Sequence, residues 1–313
     1  MRPVRGTPAA ECMSGSAGHA PRVGVVVVHF GDLTPTAACV RSLREDPSPC
    51  ERRIVVVDNA GNVSPGALQG AEVLRTGRNA GFGGGANLGV GLLGFGPWDA
   101  LVILNNDIEV MGGYLGAALD ALRRDAVGAA TGPLYLDRPG GSLWYAGGGV
   151  DFMTGTVWQS RSRRQAGRER AVGFVPGAAF AVTQEAWRSV GGFDPAYFLY
   201  NEDVDLCLRL RRRGFRLLFV PAMVAVHRLG AVTGSGGRSP LYLEHMAATR
   251  LRPFRPLAYR LYLAFMHTGY VLLRALRHRT LSRGEGGREA ACALLRGHAK
   301  ALAIIRQGPR GSA

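Results

Sequence analysis

Aromatic residues are scarce in this chain, 8% of 313, and the charged share is only 19%. Acidic residues are the thinner sign: 23 Asp and Glu stand against 38 Lys and Arg, and arginine dominates the basic set. The resulting net charge of +15 points to an anionic partner. The candidates are nucleic acid, an acidic membrane surface and phosphorylated ligands, beside a merely arginine-rich solvated surface. Zinc-finger spacing and RNA-binding aromatic signatures are missing, which sets nucleic acid aside. The cysteines are Cys12, Cys39, Cys50, Cys207 and Cys292, odd in number and without a CxxC pair. That excludes a disulfide framework and a structural zinc site, and fits a reducing cytoplasm. No run reaches the roughly 18 apolar residues of a membrane span. The nearest, 261–273, is interrupted by His267 and Thr268. Residues 1–21 are rich in Gly, Ala, Ser and Pro, lack the apolar segment of a signal peptide, and are expected to form a disordered leader.

What is present is a 47% apolar chain with 45 glycines, long enough to bury a large core. The run VGVVVVHF at 23–30 reads as a buried parallel strand. Thr34-Pro35 then reads as a cap and first position of a helix to about Arg44. Further strands are expected at 54–57, 71–74 and 101–104, with a glycine-rich loop at 77–89 leading into a helix. This alternation predicts an α/β fold, with a mostly parallel sheet flanked by helices. In the second half, 161–170 reads as a basic surface loop, 174–182 as a strand and 184–190 as a helix. A helix over 201–213, capped by Asn201 and stopped by Gly214, precedes strands at 215–220 and 223–226. From Arg250 onward the chain reads as basic helix. The organisation expected is a leader over 1–21, a catalytic domain over 22–240 and a basic helical extension over 241–313.

Four constellations can carry chemistry. The first is Asp58 with the glycine-rich stretch and Asp107, all at expected strand ends, where open parallel sheets bind ligands. Glycines there let backbone N–H groups approach a phosphate; the alternative is a tight loop without a ligand. A P-loop is excluded because Gly-Lys-Ser/Thr is missing. Gly81, Gly83 and Ala86 fit GxGxxA, but a dinucleotide fingerprint belongs after the first strand, which ends instead in His29-Phe30. The second is Leu104-Asn105-Asn106-Asp107, where Asp107 is either a turn residue or a ligand for Mg²⁺ or Mn²⁺ shared with a diphosphate. The third is Asn201-Glu202-Asp203-Val204-Asp205, whose acids either complement a helix dipole or supply a general base. Crowding would raise at least one pKa. The fourth is His227, structural unless its strand lies beside Asp107.

In order, VVVHF, VVVDNA, GRNAGFGGGANLG, LNND, VPGAAFAV, GGFDPAYFLYNEDVDLCLRLRRRGF and VAVHRLG resemble the family 2 glycosyltransferases of the nucleotide-sugar (GT-A) fold. The likeness covers about 23–233 and extends to rhamnosyltransferase-like and galactofuranosyltransferase-like enzymes of bacterial cell-surface polysaccharide assembly. It implies a nucleotide-diphosphate sugar donor, first dTDP-rhamnose and second UDP-galactofuranose or another UDP-hexose, and a glycan or lipid-linked acceptor. It implies that His29 and Asp58 hold base and ribose, and that Asn79, Gly81, Phe82, Asn87 and Asn106 shape the donor site. Asp107 and His227 would hold Mg²⁺ or Mn²⁺. Asp203 would be the base of an inverting displacement, with Glu202 as its neighbour. Trp144, Gly147, Gly177 and Tyr200 would line the sugar and acceptor cleft. The chain departs from the family pattern at Asn105, which replaces the first Asp of DxD, at His29-Phe30, and at Leu243-Glu244-His245, where an Arg-Asn pair is more usual.

Competing readings are an NAD-type oxidoreductase, a non-catalytic nucleotide-sugar-binding relative, and a processive synthase, which needs membrane spans. The arginines at 252, 255, 260, 274, 277 and 279 flank aromatic-bearing helix. That segment is expected either to lie on the anionic inner face of the plasma membrane or to pack on the catalytic domain.

Overall fold

The computed structural model describes residues 20–94, 96–228, 239–254, 256–281 and 285–306. Residues 1–19 of the expected leader, and the end of the VAVHRLG motif, lie outside them. The first half runs β1 (Arg22–His29), α1 (Leu33–Glu45), β2 (Glu51–Asp58), β3 (Glu72–Arg75), α2 (Gly81–Leu93), β4 (Ala100–Asn105), β5 (Ile108–Val110), α3 (Tyr114–Leu122) and β6 (Val127–Thr131). Then come β7 (Leu134–Tyr135), β8 (Leu143–Tyr145), β9 (Gly148–Asp151), β10 (Thr156–Gln159), α4 (Arg163–Ala166), β11 (Arg170–Val172), β12 (Ala179–Val182), α5 (Gln184–Val190), α6 (Glu202–Arg212), β13 (Arg216–Phe219) and β14 (Ala225–His227). Three helices follow, α7 (Pro240–Thr249), α8 (Leu257–Leu281) and α9 (Glu285–Arg306).

The main sheet has eight strands in the order β11-β13-β6-β12-β4-β1-β2-β3. β4, β1, β2 and β3 run parallel, and β13 runs parallel to β6. β12 is antiparallel to both β4 and β6, and β11 to β13, so the sheet is mixed. β1 sits between β4 and β2, and its valines are buried on both faces, which is why the stretch is continuously apolar. A second, four-stranded sheet has the order β5-β14-β7-β8.

Local details depart from the sequence reading. The α1 cap is Asp32, whose carboxylate accepts from Thr34 N at 3.0 Å, not Thr34. The strand expected over 174–182 is confined to Ala179–Val182. The basic run 161–170 is not a free loop. It holds α4 and then Arg170, which donates to the Gln165 and Arg168 carbonyls at 2.6 and 2.8 Å and lies 4.6 Å over the Phe219 ring. The largest change concerns the glycine stretch. From Gly81 onward it is helix α2, and its glycines let that helix approach the sheet. A Cβ at Gly89 would lie 2.4 Å from a Val26 methyl, and one at Gly85 3.0 Å from Val28.

The C-terminal helices pack on the body and on each other. Leu251, Phe254, Leu263, Ala264, Ala301 and Ile305 join the main core. Leu243, Val271, Ala290, Ala293 and Leu294 form a smaller core between α7, α8 and α9. No helix among the described residues is long and apolar enough to cross a membrane.

Candidate active site

The end of β4 organises the site. Asp107 follows directly, in the tight turn between β4 and β5, and β14 pairs antiparallel with β5 so that His227 stands opposite Ile108. The Arg228 amide donates to the Asp107 carbonyl at 2.9 Å and locks that register. His227 Nε2 thereby lies 3.2 Å from Asp107 Oδ1, both side chains buried. His227 thus lies beside Asp107, the arrangement that a ligand role for it would require. Although close, Asp107 Oδ1 makes no hydrogen bond, and neither does His227 Nδ1. A carboxylate oxygen and an imidazole nitrogen held this near need a proton or a cation between them. Two ligand atoms at right angles around an ion, with bonds of roughly 2.1 Å, lie about 3.0 Å apart. The spacing of the pair therefore fits two ligands of one divalent cation. Among the described residues no group of three His, Cys, Asp or Glu side chains gathers around a point. The Trp144 ring meets His227 edge-on at 4.8 Å and holds the imidazole in place.

The second group lies at the start of α6. Tyr200 and Asn201 adopt left-handed φ values of 66° and 64°. Such strain persists in non-glycine residues only where surrounding structure enforces it. Here α7 does so: the Asn201 amide donates to Thr249 Oγ1 at 2.8 Å, and Tyr242 meets the Tyr200 ring at 4.9 Å. Asn201 is thus not a side-chain cap; its amide is spent on α7. This bend turns Asp203 toward the segment before β12, where its Oδ2 accepts from Gly177 N at 2.9 Å. The next residue, Ala178, accepts from Asn105 N at 2.8 Å, so the acidic pair and the Asp107–His227 pair share one end of β4.

Glu202 is buried, and its Oε2 has no hydrogen-bond partner. Burial pushes its carboxyl up to about 8, and the Asp203 charge adds to the rise. Burial raises Asp203 too, opposed by the amides of Gly177 and Val204 that donate to it. Burial thus favours the proton on Glu202, while the two amides favour the charge on Asp203. Because the folded Glu202 pKa is raised, the stability it contributes is complete below about pH 4.5 and is lost as pH climbs to about 8. At about 1.4 kcal/mol per unit the loss is on the order of a few kcal/mol. Glu202→Gln should therefore melt above the native protein at about pH 9 and near it at about pH 5. A thermal melt series across pH checks this; a lower melting point at alkaline pH contradicts it.

The remaining candidates divide. Phe82 stays at the site: a Cβ on Gly177 would lie 3.0 Å from its ring and 3.3 Å from Asp203 Cβ. Asn79 is exposed, and its Oδ1 accepts from Gly81 N at 2.9 Å, shaping the entry to α2. Tyr200 stands beside α7, against Tyr242. His29 is a correction: it is fully buried, and its ring nitrogens meet Thr36 Oγ1 at 2.6 Å and Asn62 Oδ1 at 2.8 Å. Asn106 joins the same network, donating to Thr36 Oγ1 at 3.0 Å. Asp58 is also fully buried; its carboxylate accepts from the amides of Ala60, Gly61 and Val63 and builds the turn after β2. Gly147 is covered by the Arg170 guanidinium, which would lie 2.2 Å from an added Cβ.

Asn87 has backbone partners. Its amide donates to the Phe193 carbonyl at 2.8 Å and accepts from the Phe193 amide at 2.9 Å. It clamps α2 to the turn before the acidic motif. Asn87→Ala should cost about 1–3 kcal/mol of stability through the unmatched Phe193 groups. Donor affinity measured well below the melting point should stay unchanged; a selective loss of affinity would restore a ligand-contact role. The residues that reading by motif misses are Thr36, Asn62, Thr249 and Phe193. Phe193 is the hub, with ring contacts to Phe82, Phe180 and Trp187. Its place in Gly-Gly-Phe-Asp-Pro was the available signal; the other three carry none.

Comparisons with known proteins give the family and the fold. A family profile described as "Glycosyltransferase like family 2" matches residues 12–252. An N-acetylglucosaminyl-diphospho-decaprenol L-rhamnosyltransferase of Mycobacterium tuberculosis is 33% identical over 196 residues, 55% of this chain and 64% of that protein. The match thus spans slightly less than two thirds of that relative's length. Among solved structures, GalNAc-T7 with UDP, GalNAc and Mn²⁺ superposes with a TM-score of 0.58 at 15% identity, over 92% of this chain and 57% of that one. The mannosyltransferase PcManGT of Pyrobaculum calidifontis, with GDP-Man and Mn²⁺, gives a TM-score of 0.55 at 16% identity, over 91% and 88%. The chain therefore has the GT-A fold and belongs to glycosyltransferase-like family 2.

Proposed function

We propose that the protein transfers a sugar from a nucleoside-diphosphate donor to an acceptor hydroxyl, with inversion at the anomeric carbon. The observation that carries this reading is Asp203, held on the Gly177 amide beside the buried Glu202, at the same strand end as Asp107 and His227. Asp203 takes the acceptor proton as the acceptor oxygen attacks, and the sugar–phosphate bond breaks in line. Glu202, kept neutral, confines the negative charge to Asp203. Phe82 and Gly177 wall that carboxylate. Asp107 and His227 would hold Mg²⁺ or Mn²⁺, which when bound neutralises charge on the departing diphosphate. The mycobacterial relative supports rhamnose as the sugar and a lipid-linked diphosphate sugar as the acceptor, and dTDP-rhamnose is the donor that the family resemblance implies. The reading includes a cytoplasmic protein with a transferase body over 22–240 and a basic helical extension over 241–313 at the inner membrane face. No observation favours nicotinamide chemistry: the glycines that fit its fingerprint lie inside α2 and serve packing.

A donor panel tests this. Purified protein is melted with Mg²⁺ or Mn²⁺ and each of several dTDP-, UDP- and GDP-sugars, and nucleoside diphosphate release is followed. One donor class should stabilise the protein only with metal present, and EDTA or Asp107→Ala should abolish the effect. At a donor concentration about 100-fold above its dissociation constant the stabilisation is about 2.7 kcal/mol. Stabilisation by nicotinamide cofactors and by no nucleotide sugar overturns the proposal.

A further inference from the structure

Against the start of α6, at Asn201 and Val204, lies a cavity of about 170 Å³. It is walled by the first residues of β10 and by α7, α8 and α9. Its lining contains Arg250, Arg274, His267 and His298, and no carboxylate. Arg250 is half-buried, donates to Thr156 Oγ1 at 3.1 Å and lies 5.4 Å over the Tyr270 ring. Arg274 reaches the Tyr270 hydroxyl at 3.3 Å. Among the described residues neither arginine forms an ion pair, although Arg296 and Lys300 nearby are both neutralised by Glu244. His267 is 5% exposed, and its Nε2 has no hydrogen-bond partner. Burial and the Arg250 charge push that imidazole down to about 4, so the positive potential is felt inside the cavity.

Two guanidinium groups drawn together without a counter-charge repel each other and lose hydration, and a bound anion relieves both. The rest of the wall is apolar, including Leu243, Met246 and Phe254. The outer face of α8 beside it exposes Leu261, Phe265, Leu272, Leu273 and Leu276. A cationic end, apolar walls and an apolar outer surface match an amphiphile with a phosphate head. Tyr242 in its wall touches Tyr200, two residues before Glu202 in the chain.

We infer that this cavity, through Arg250, Arg274 and His267, receives the phosphate end of a prenyl-diphosphate-linked acceptor. The inference rests on the transferase reading for the word acceptor and on the cavity alone for the ligand chemistry.

The test is calorimetric titration of the full chain with farnesyl diphosphate, farnesol and inorganic pyrophosphate, in the absence of donor. Farnesyl diphosphate should bind saturably, and the other two roughly tenfold or more weaker, since each offers only half of the match. Arg250→Gln and Arg274→Gln should each weaken farnesyl diphosphate by about tenfold or more while melting near the native temperature. If loss of the Thr156 bond unfolds the Arg250 variant, Arg274→Gln carries the test, because its bond is to the exposed Tyr270. Absence of saturable binding overturns the inference. So does pyrophosphate binding as tightly as farnesyl diphosphate, or a folded Arg274→Gln with native affinity. No turnover is involved, so failure here and failure of the donor panel are separate results.

Discussion

Asp203→Asn should lose about 10²- to 10⁴-fold in kcat, the range a positioned general base contributes, and leave donor binding intact. The argument is geometric. Asn presents the same carbonyl oxygen to the Gly177 amide, so the 2.9 Å bond that positions the side chain survives. What vanishes is the basic oxygen. Loss confined to kcat is the mark of an interaction made in the transition state. Glu202→Gln is the control. If Glu202 is protonated near neutrality, as its pKa of about 8 requires, the amide mimics the working state and activity stays within about tenfold of native. The two variants together assign the base. A crippled Glu202→Gln beside an active Asp203→Asn would exchange the roles and overturn the mechanism.

Gly81→Ala should be the most damaging change to the scaffold. Gly81 begins α2 at φ 75°, a conformation that costs a residue with a Cβ about 1–2 kcal/mol. An alanine Cβ would also lie 2.0 Å from the Phe198 carbonyl oxygen, a backbone atom that cannot rotate aside. Phe198 stands two residues before the strained Tyr200–Asn201 bend that aims Asp203. Shifting it disturbs the site as well as the fold. A loss of about 2–4 kcal/mol is expected, read as a fall of roughly 5–15 °C in melting temperature. Activity at low temperature should fall with it, unlike Asn87→Ala, whose effect stays on stability. A Gly81→Ala protein that melts and turns over like the native one would show that α2 and the Phe198 segment are not in contact.

Much of the fold was legible in the residues themselves. The valine runs of β1 and β2 and the LVIL of β4 can only be strands buried on both faces, and they pair side by side. Thr183 and Gly191 mark the ends of α5 as their chemistry dictates. The acids of α6 and the aspartate after β4 were visible as candidates because carboxylates there are costly unless used. Local pattern was misleading where one residue type serves two purposes. Glycines open a phosphate loop or let a helix touch a sheet, and in α2 they do the second. An asparagine can cap a helix, contact a ligand or clamp a backbone; Asn87 clamps Phe193 across 106 residues.

The sequence by itself determined the strand core, the order of the motifs and the identity of the ionisable groups, because these follow from side-chain chemistry and short-range periodicity. Only the tertiary structure decided which groups meet. The β14–β5 pairing brings His227 to Asp107, α7 forces the bend that delivers Asp203 to Gly177, and α8 and α9 close over Arg250 and Arg274. Those meetings depend on contacts between segments far apart in the chain, and no local pattern encodes such distances.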